Sequence, residues 1–252
     1  MSAQNTVLIT GANRGIGKGL VAVHLASANT TVIATVRDPS SAENLHSLSK
    51  GSGSQLIIIK LDVSSAESIR SGIASLKSDH GISSIDVVVA NAGIAGITPK
   101  LTEADSSEIQ TYIDVNAYGQ LELFKAVSPL LQQSKTKGKF VYISSAGGSL
   151  TTMSNIVPLS AYGASKALGN FLFKWLSLEV DNVLIWAQHP GMVATEMGKA
   201  GFDALKAQGI DLSAHIITVE QSTNMLKNLI ENATLESAHG KFLGPDGTEL
   251  PW

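Results

Sequence analysis

A chain of 252 residues, 44% of them hydrophobic, with a net charge of -3, can bury one sizeable core and carries no field that would draw it to nucleic acid or an anionic membrane. It has no cysteine, which excludes disulfides, thiolate nucleophiles and thiolate-bound zinc. No apolar run approaches the ~18 residues of a membrane span, and no charged-then-apolar leader precedes the first strand-like stretch, so a soluble, cytoplasmic protein is expected.

Short β-branched runs at 6–10, 31–36, 56–61, 85–90, 139–143 and 183–187 are apolar on successive residues, as strands buried on both faces should be. Helical patterns fill the gaps, at about 15–28, 40–49, 65–78, 104–133, 160–180 and 219–232, and a last short strand is expected at 241–243. Strict alternation predicts a single α/β domain over 1–252, with a parallel sheet and helices on both of its faces. The stretch Gly51-Ser52-Gly53-Ser54 reads as a surface loop.

Polar and glycine-rich segments fall between these elements. Thr10-Gly11-Ala12-Asn13-Arg14-Gly15-Ile16-Gly17 joins the first strand to the first helix. Glycines there permit a tight turn and a close backbone approach, and the helix N-terminus offers N–H groups and a positive dipole end to a pyrophosphate. About 20 residues on, where an acid would take a ribose hydroxyl, stands Arg37, followed by Asp38. A guanidinium there pairs with a 2′-phosphate, with Arg14 closing from the other side. The competing reading leaves Arg37 solvated and gives the ribose to Asp38. Asp62-Val63 ends the third strand, where Asp62 either accepts from an adenine amino group or caps the next helix. Asn91-Ala92-Gly93 ends the fourth, where small residues suit backbone passing beside a cofactor. Asn116 interrupts the apolar face of the long helical stretch.

Ser144-Ser145 follows the fifth strand, and His189-Pro190-Gly191-Met192-Val193-Ala194-Thr195 the sixth. Strand carboxyl ends are where open α/β sheets bind ligands. His189 has no metal-spaced partner and reads as structural, while Thr195 could hold a carboxamide. Tyr162 and Lys166 lie four apart at the start of a helical run, so they share a face. A cation beside a phenol is expected to lower its pKa toward neutrality and make it a proton donor to a carbonyl oxygen.

Taken together, the glycine turn, Asp62, Asn91-Ala92-Gly93, Asn116, Ser145, Tyr162-x-x-x-Lys166 and Pro190-Gly191 through Thr195 resemble, in order and over the whole length, the short-chain dehydrogenase/reductase family. The resemblance implies a Rossmann-type doubly wound sheet of about seven strands. It implies cofactor contacts from Gly11, Asn13, Arg14, Gly15, Ile16, Gly17, Arg37, Asp62, Val63, Asn91, Ala92, Gly93, Tyr162, Lys166, Pro190, Gly191, Val193 and Thr195. It implies a catalytic set of Asn116, Ser145, Tyr162 and Lys166. Ser145 is taken over Ser144 because the family's serine usually stands three residues before a glycine, here Gly148. Ala12-Asn13-Arg14 and Arg37 look like the family's NADPH-dependent carbonyl reductases. The closing Asp246-Gly247-Thr248-Glu249-Leu250-Pro251-Trp252 looks like fungal ketoreductases of the norsolorinic-acid-reductase type. Two departures stand out: Ala90 precedes Asn91 where the family often has a second asparagine, and the Ser145-to-Tyr162 gap is long.

The expected activity is reduction of a neutral, apolar or aromatic ketone or aldehyde by NADP(H). Leu150, Met153, Ile156, Met192 and Met197 would line the substrate site or simply pack against one another, and a lid would span about 192–217 with Gly198, Gly201 and Gly209 as hinges. Alternatives are an enzyme of the same fold acting on carrier-bound acyl ketones, or a non-enzymatic NADP(H)-binding redox sensor. Family analogy implies a homodimer or homotetramer. The Phe171/Trp175 stripe fits such pairing or packing against the sheet equally well.

Overall fold

The computed structural model describes residues 5–207 and 209–252, apart from the side chains of Ala200 and Ala204. Seven parallel strands form one sheet: β1 (Asn5–Thr10), β2 (Thr30–Val36), β3 (Gln55–Lys60), β4 (Val87–Ala90), β5 (Gly138–Ile143), β6 (Val183–Gln188) and β9 (Phe242–Leu243), in the order β3-β2-β1-β4-β5-β6-β9. The order reverses between β1 and β4, which opens a crevice at the carboxyl ends of those strands. Val7, Leu8 and Ile9 of β1 are fully buried, as are Val88 and Val89 of β4, because both faces of the central strands are covered.

One face holds α3 (Ala66–Ser78), α4 (Ser106–Ile113), α5 (Gly119–Leu131) and α6 (Ser160–Glu179); the other holds α1 (Gly15–Leu25), the short α2 (Glu43–His46) and α8 (Val219–Asn232). The stretch predicted as one helix over 104–133 is interrupted. Between α4 and α5, Asp114–Tyr118 winds as a π-turn. The stretch predicted as a helix over 40–49 is a 3₁₀ turn, Pro39–Ala42, followed by the single turn of α2. Its serines and Asp38 bond locally to the backbone, which competes with helix propagation.

The predicted lid carries regular structure. β7 (Met192–Val193) pairs with β8 (Ile216–Ile217), and α7 (Glu196–Ala207) lies between them. Gly198 and Gly201 sit inside α7, and a Cβ on Gly198 would come within 2.7 Å of the Val193 carbonyl oxygen. They are helix positions, and only Gly209, at φ +80°, has the hinge-like backbone expected of all three. Among the described residues no helix is long and apolar enough to cross a membrane.

Candidate active site

The glycine turn forms as its composition demands. Gly11 and Gly15 have φ of +65° and +52°, and a Cβ on Gly17 would lie 2.2 Å from the Gly11 carbonyl oxygen. Asn91 pins the end of β4 to this turn, its Nδ2 donating to the Thr10 carbonyl at 2.8 Å, while the Thr10 hydroxyl accepts from the N–H groups of Asn91 and Ala92. A Cβ on Gly11 would stand 2.9 Å from the Ala92 Cα. This is a surface of bare backbone, which fits a nucleotide diphosphate lying along it.

Around the rim, Arg37 is exposed. The Asp38 carboxylate accepts from both the N–H and the hydroxyl of Ser40. Asn13 donates to the Ser41 hydroxyl at 3.3 Å. Arg14 pairs with Glu196 of α7 at 3.1 Å, both side chains being largely exposed. Asp62 does not cap α3, for Ser65 does, and its carboxylate holds Ser64 in a turn. Val63 and Val193 are buried beneath the rim, and Ile16 is half-buried. Gly191 has φ +89°, and the Pro190 carbonyl accepts from Ser222 at 2.7 Å. Thr195 caps α7 by accepting from the Gly198 N–H, and it lies 3.4 Å from where a Gly15 Cβ would be.

Two residues of the predicted catalytic set, Asn116 and Lys166, meet beside Gly93, and Tyr162 and Ser145 follow on from Lys166. A Cβ on Gly93 would meet Asn116 Oδ1 at 2.9 Å and Lys166 Nζ at 3.8 Å. Asn116 lies in the π-turn and is fully buried; its side chain closes a two-way pair with the Ile94 backbone and donates to Ser165 at 3.0 Å. Lys166 is buried, donates to the Ile143 carbonyl at 2.7 Å, and lies 5.8 Å from the Tyr162 ring centroid. The two serines part company. Ser144 is buried and gives its hydroxyl to Asn170 at 2.5 Å, whereas Ser145 is half-exposed, accepts from the Gly147 N–H and interacts with the Tyr162 phenol. Only Ser145 faces the phenol.

The electrostatics differ from the expectation in one respect. Burial holds the Tyr162 phenol above its ordinary value, and the Ser145 side chain pulls against that shift. Burial also drives the Lys166 ammonium down to about 7. The expected lowering of the phenol by Lys166 does not appear in the protein alone, where removing both groups from water disfavours both charged forms.

Three neighbours were not singled out as site residues. Asn170, one turn beyond Lys166, accepts from Ser144 and donates to the Gly148 carbonyl at 3.3 Å, so it grips both ends of the loop that carries Ser145. His189 accepts from the Ala146 N–H at 3.3 Å, and burial holds its imidazole at about 4, neutral near pH 7. Tyr142 on β5 stacks on Phe173 and lies under the Lys166 ammonium. Asn170 had a readable signal, sharing the helical face of Tyr162 and Lys166; Tyr142 in a buried strand had none.

Leu150, Met153, Ile156 and Met197, expected to line the substrate site, are exposed, and Met192 is half-buried. The backbone and side chain of Thr151 both donate to the Trp252 carbonyl, at 3.1 and 2.8 Å, anchoring the start of the long loop.

Residues 5–206 match the family described as short chain dehydrogenase. The chain is 58% identical over 250 residues to the short chain dehydrogenase gsfK of Penicillium aethiopicum, covering 98% of this chain and 99% of the relative. It is 38% identical to the norsolorinic acid ketoreductase nor1 of Dothistroma septosporum, covering 100% of this chain and 94% of that protein. Among solved structures it is similar to an NADPH-bound carbonyl reductase from chicken fatty liver, with a TM-score of 0.85, 27% identity, and coverage of 99% and 100% of the two chains.

Proposed function

The chain belongs to the short-chain dehydrogenase family, and from that premise we propose that it is an NADPH-dependent ketoreductase whose substrate is a neutral, apolar or aromatic ketone or aldehyde. The observation that carries the proposal is the meeting of Ser145, Tyr162 and Lys166 at the carboxyl end of β5, beside the bare-backbone turn of Gly11 and Gly17. Gly11, Asn13, Gly15, Ile16, Gly17, Val63, Asn91, Ala92, Gly93, Pro190, Gly191, Val193 and Thr195 are proposed to seat the dinucleotide. Arg37, with Arg14, is proposed to select its 2′-phosphate and Asp62 to meet its adenine.

A bound nicotinamide supplies the hydride. Ser145 donates a hydrogen bond to the substrate carbonyl oxygen, and Tyr162 gives that oxygen a proton as its charge grows. Stabilisation of this kind contributes a few kcal/mol, and proton transfer a factor of roughly 10²–10⁴. Lys166 places positive charge beside the phenol and holds the nicotinamide ribose. Asn116 fixes the route by which Tyr162 regains its proton. Exposed Leu150, Met153 and Ile156 support an apolar substrate. The same reading places the enzyme in the cytoplasm as a homodimer or homotetramer.

The test is NADPH and NADH oxidation over a panel of aromatic, aliphatic and thioester-linked ketones, for the native chain and for Tyr162→Phe. NADPH-preferring turnover of the aromatic or aliphatic ketones is expected, falling at least 100-fold in Tyr162→Phe with NADPH binding kept. Thioester-only turnover would point to carrier-bound substrates. NADPH binding without any turnover would point to a sensor.

A further inference from the structure

Lys166 poses a physical problem. Its ammonium is buried in a site where, among the described residues, it has no ion pair. The Ile143 carbonyl takes one of its protons at 2.7 Å. A buried, unpaired cation is costly, and a neutral lysine would bring no positive charge to the phenol. Something else must favour the charged form.

Tyr142 is built to do so. Its ring centroid lies 5.0 Å from Lys166 Nζ, nearer than that of Tyr162 at 5.8 Å and within the ~6 Å over which a ring face attracts a cation. The ring is fixed from three sides. It stacks on Phe173 at 4.5 Å between centroids. Its hydroxyl donates to the Asn116 carbonyl at 2.9 Å. That carbonyl belongs to the π-turn, where i→i+5 bonding disturbs the usual backbone pattern. Space for the hydroxyl comes from α6 itself, since a Cβ on Gly169 would sit 2.1 Å from it. One fully buried side chain therefore touches the helix of Lys166 and the turn of Asn116 at once.

We infer that Tyr142 is a positioning residue of the proposed reaction: its ring face stabilises the Lys166 ammonium, and its hydroxyl locks the Asn116 turn against β5. The inference rests on the proposed ketoreductase reading. The titratable neighbours of the ammonium are Tyr142 on β5 and Tyr162 on α6; Ser145 and Asn116 are neutral. Burial keeps the Tyr142 hydroxyl protonated by raising it well above the ordinary value, so Tyr142 acts as a ring and a donor, not as a base.

The test reads kcat/KM against pH for ketone reduction. Tyr142→Phe keeps the ring face and should keep the high-pH limb within about 0.3 unit. Tyr142→Leu removes the ring, and the limb should move down by about one pH unit, roughly a tenfold loss on its alkaline side. Genetically encoded mono-, di- and trifluorophenylalanine at position 142 preserve the packing while draining the ring face, so they serve even if Tyr142→Leu fails to fold; the limb should step downward with each fluorine. A limb that ignores fluorination, or Tyr142→Phe shifting as far as Tyr142→Leu, overturns the inference. Tyr162→Phe run alongside separates the two claims: if it retains turnover, the reaction assignment itself has failed.

Discussion

At the scale of single residues, the question is what keeps Ser145 aimed. Asn170 bonds the Ser144 hydroxyl and the Gly148 carbonyl from a buried position. Each buried group left unpartnered costs about 1–3 kcal/mol. Asn170→Ala should therefore lower kcat by about 10–100-fold through a slack Ser145 loop. In a Ser145→Ala background the same change should cost less than about twofold, because its route to the chemistry is already gone. Equal losses in both backgrounds in single-turnover assays would mean that Asn170 acts on the fold at large. Residue type and spacing make Tyr162 and Lys166 legible in the sequence, since the helical period alone brings them together. The surroundings of Arg14 were less so: its tertiary partner, Glu196, sits 182 positions away, and no local pattern announces it.

At the scale of elements, α6 serves two surfaces. Tyr162, Lys166, Asn170 and Phe173 face inward, while Phe171, Trp175 and Leu178 lie on the outside, 53–66% exposed, with Phe171 and Trp175 stacked at 5.9 Å. The sequence left that stripe with two possible faces, and the fold turns it to solvent. Large aromatic surface is expensive to leave in water, and the stripe is where the proposed homodimer or homotetramer would pair. By size-exclusion with light scattering, the native chain should run as an oligomer at micromolar concentration and Trp175→Glu as a monomer; a monomeric native chain rejects that assembly. The strands were readable because buried parallel strands are apolar without interruption. The break between α4 and α5 was not, because a π-turn needs one extra residue in a turn and changes no residue type.

At the scale of the whole molecule, two buried imidazoles tie folding to pH. His24 on α1 and His189 beyond β6 are both held at about 4 by burial, against an ordinary value of 6.5. Between those values the unfolded chain binds protons that the folded chain refuses, so stability is complete above 6.5 and falls as the pH drops toward 4. At about 1.4 kcal/mol per pH unit, each histidine removes roughly 2 kcal/mol by pH 5. Urea melts should accordingly show stability rising from pH 5 to 7.5 with an uptake difference approaching two protons at the acid end, whereas a flat profile would contradict the burial of these rings.

The ion pair between Arg14 and Glu196 has a consequence for traffic through the crevice. It joins the glycine turn to the first residue of α7, and both partners are largely open to solvent, so breaking it costs under about 1 kcal/mol. A phosphate drawn in by Arg37 and Arg14 would set a second anion beside the Glu196 carboxylate and loosen its hold. A dinucleotide lacking that group would leave the carboxylate where it is. If α7 forms part of the proposed lid, it would then feel which coenzyme had arrived, so a discrimination made at one ribose would be relayed to the segment between β7 and β8.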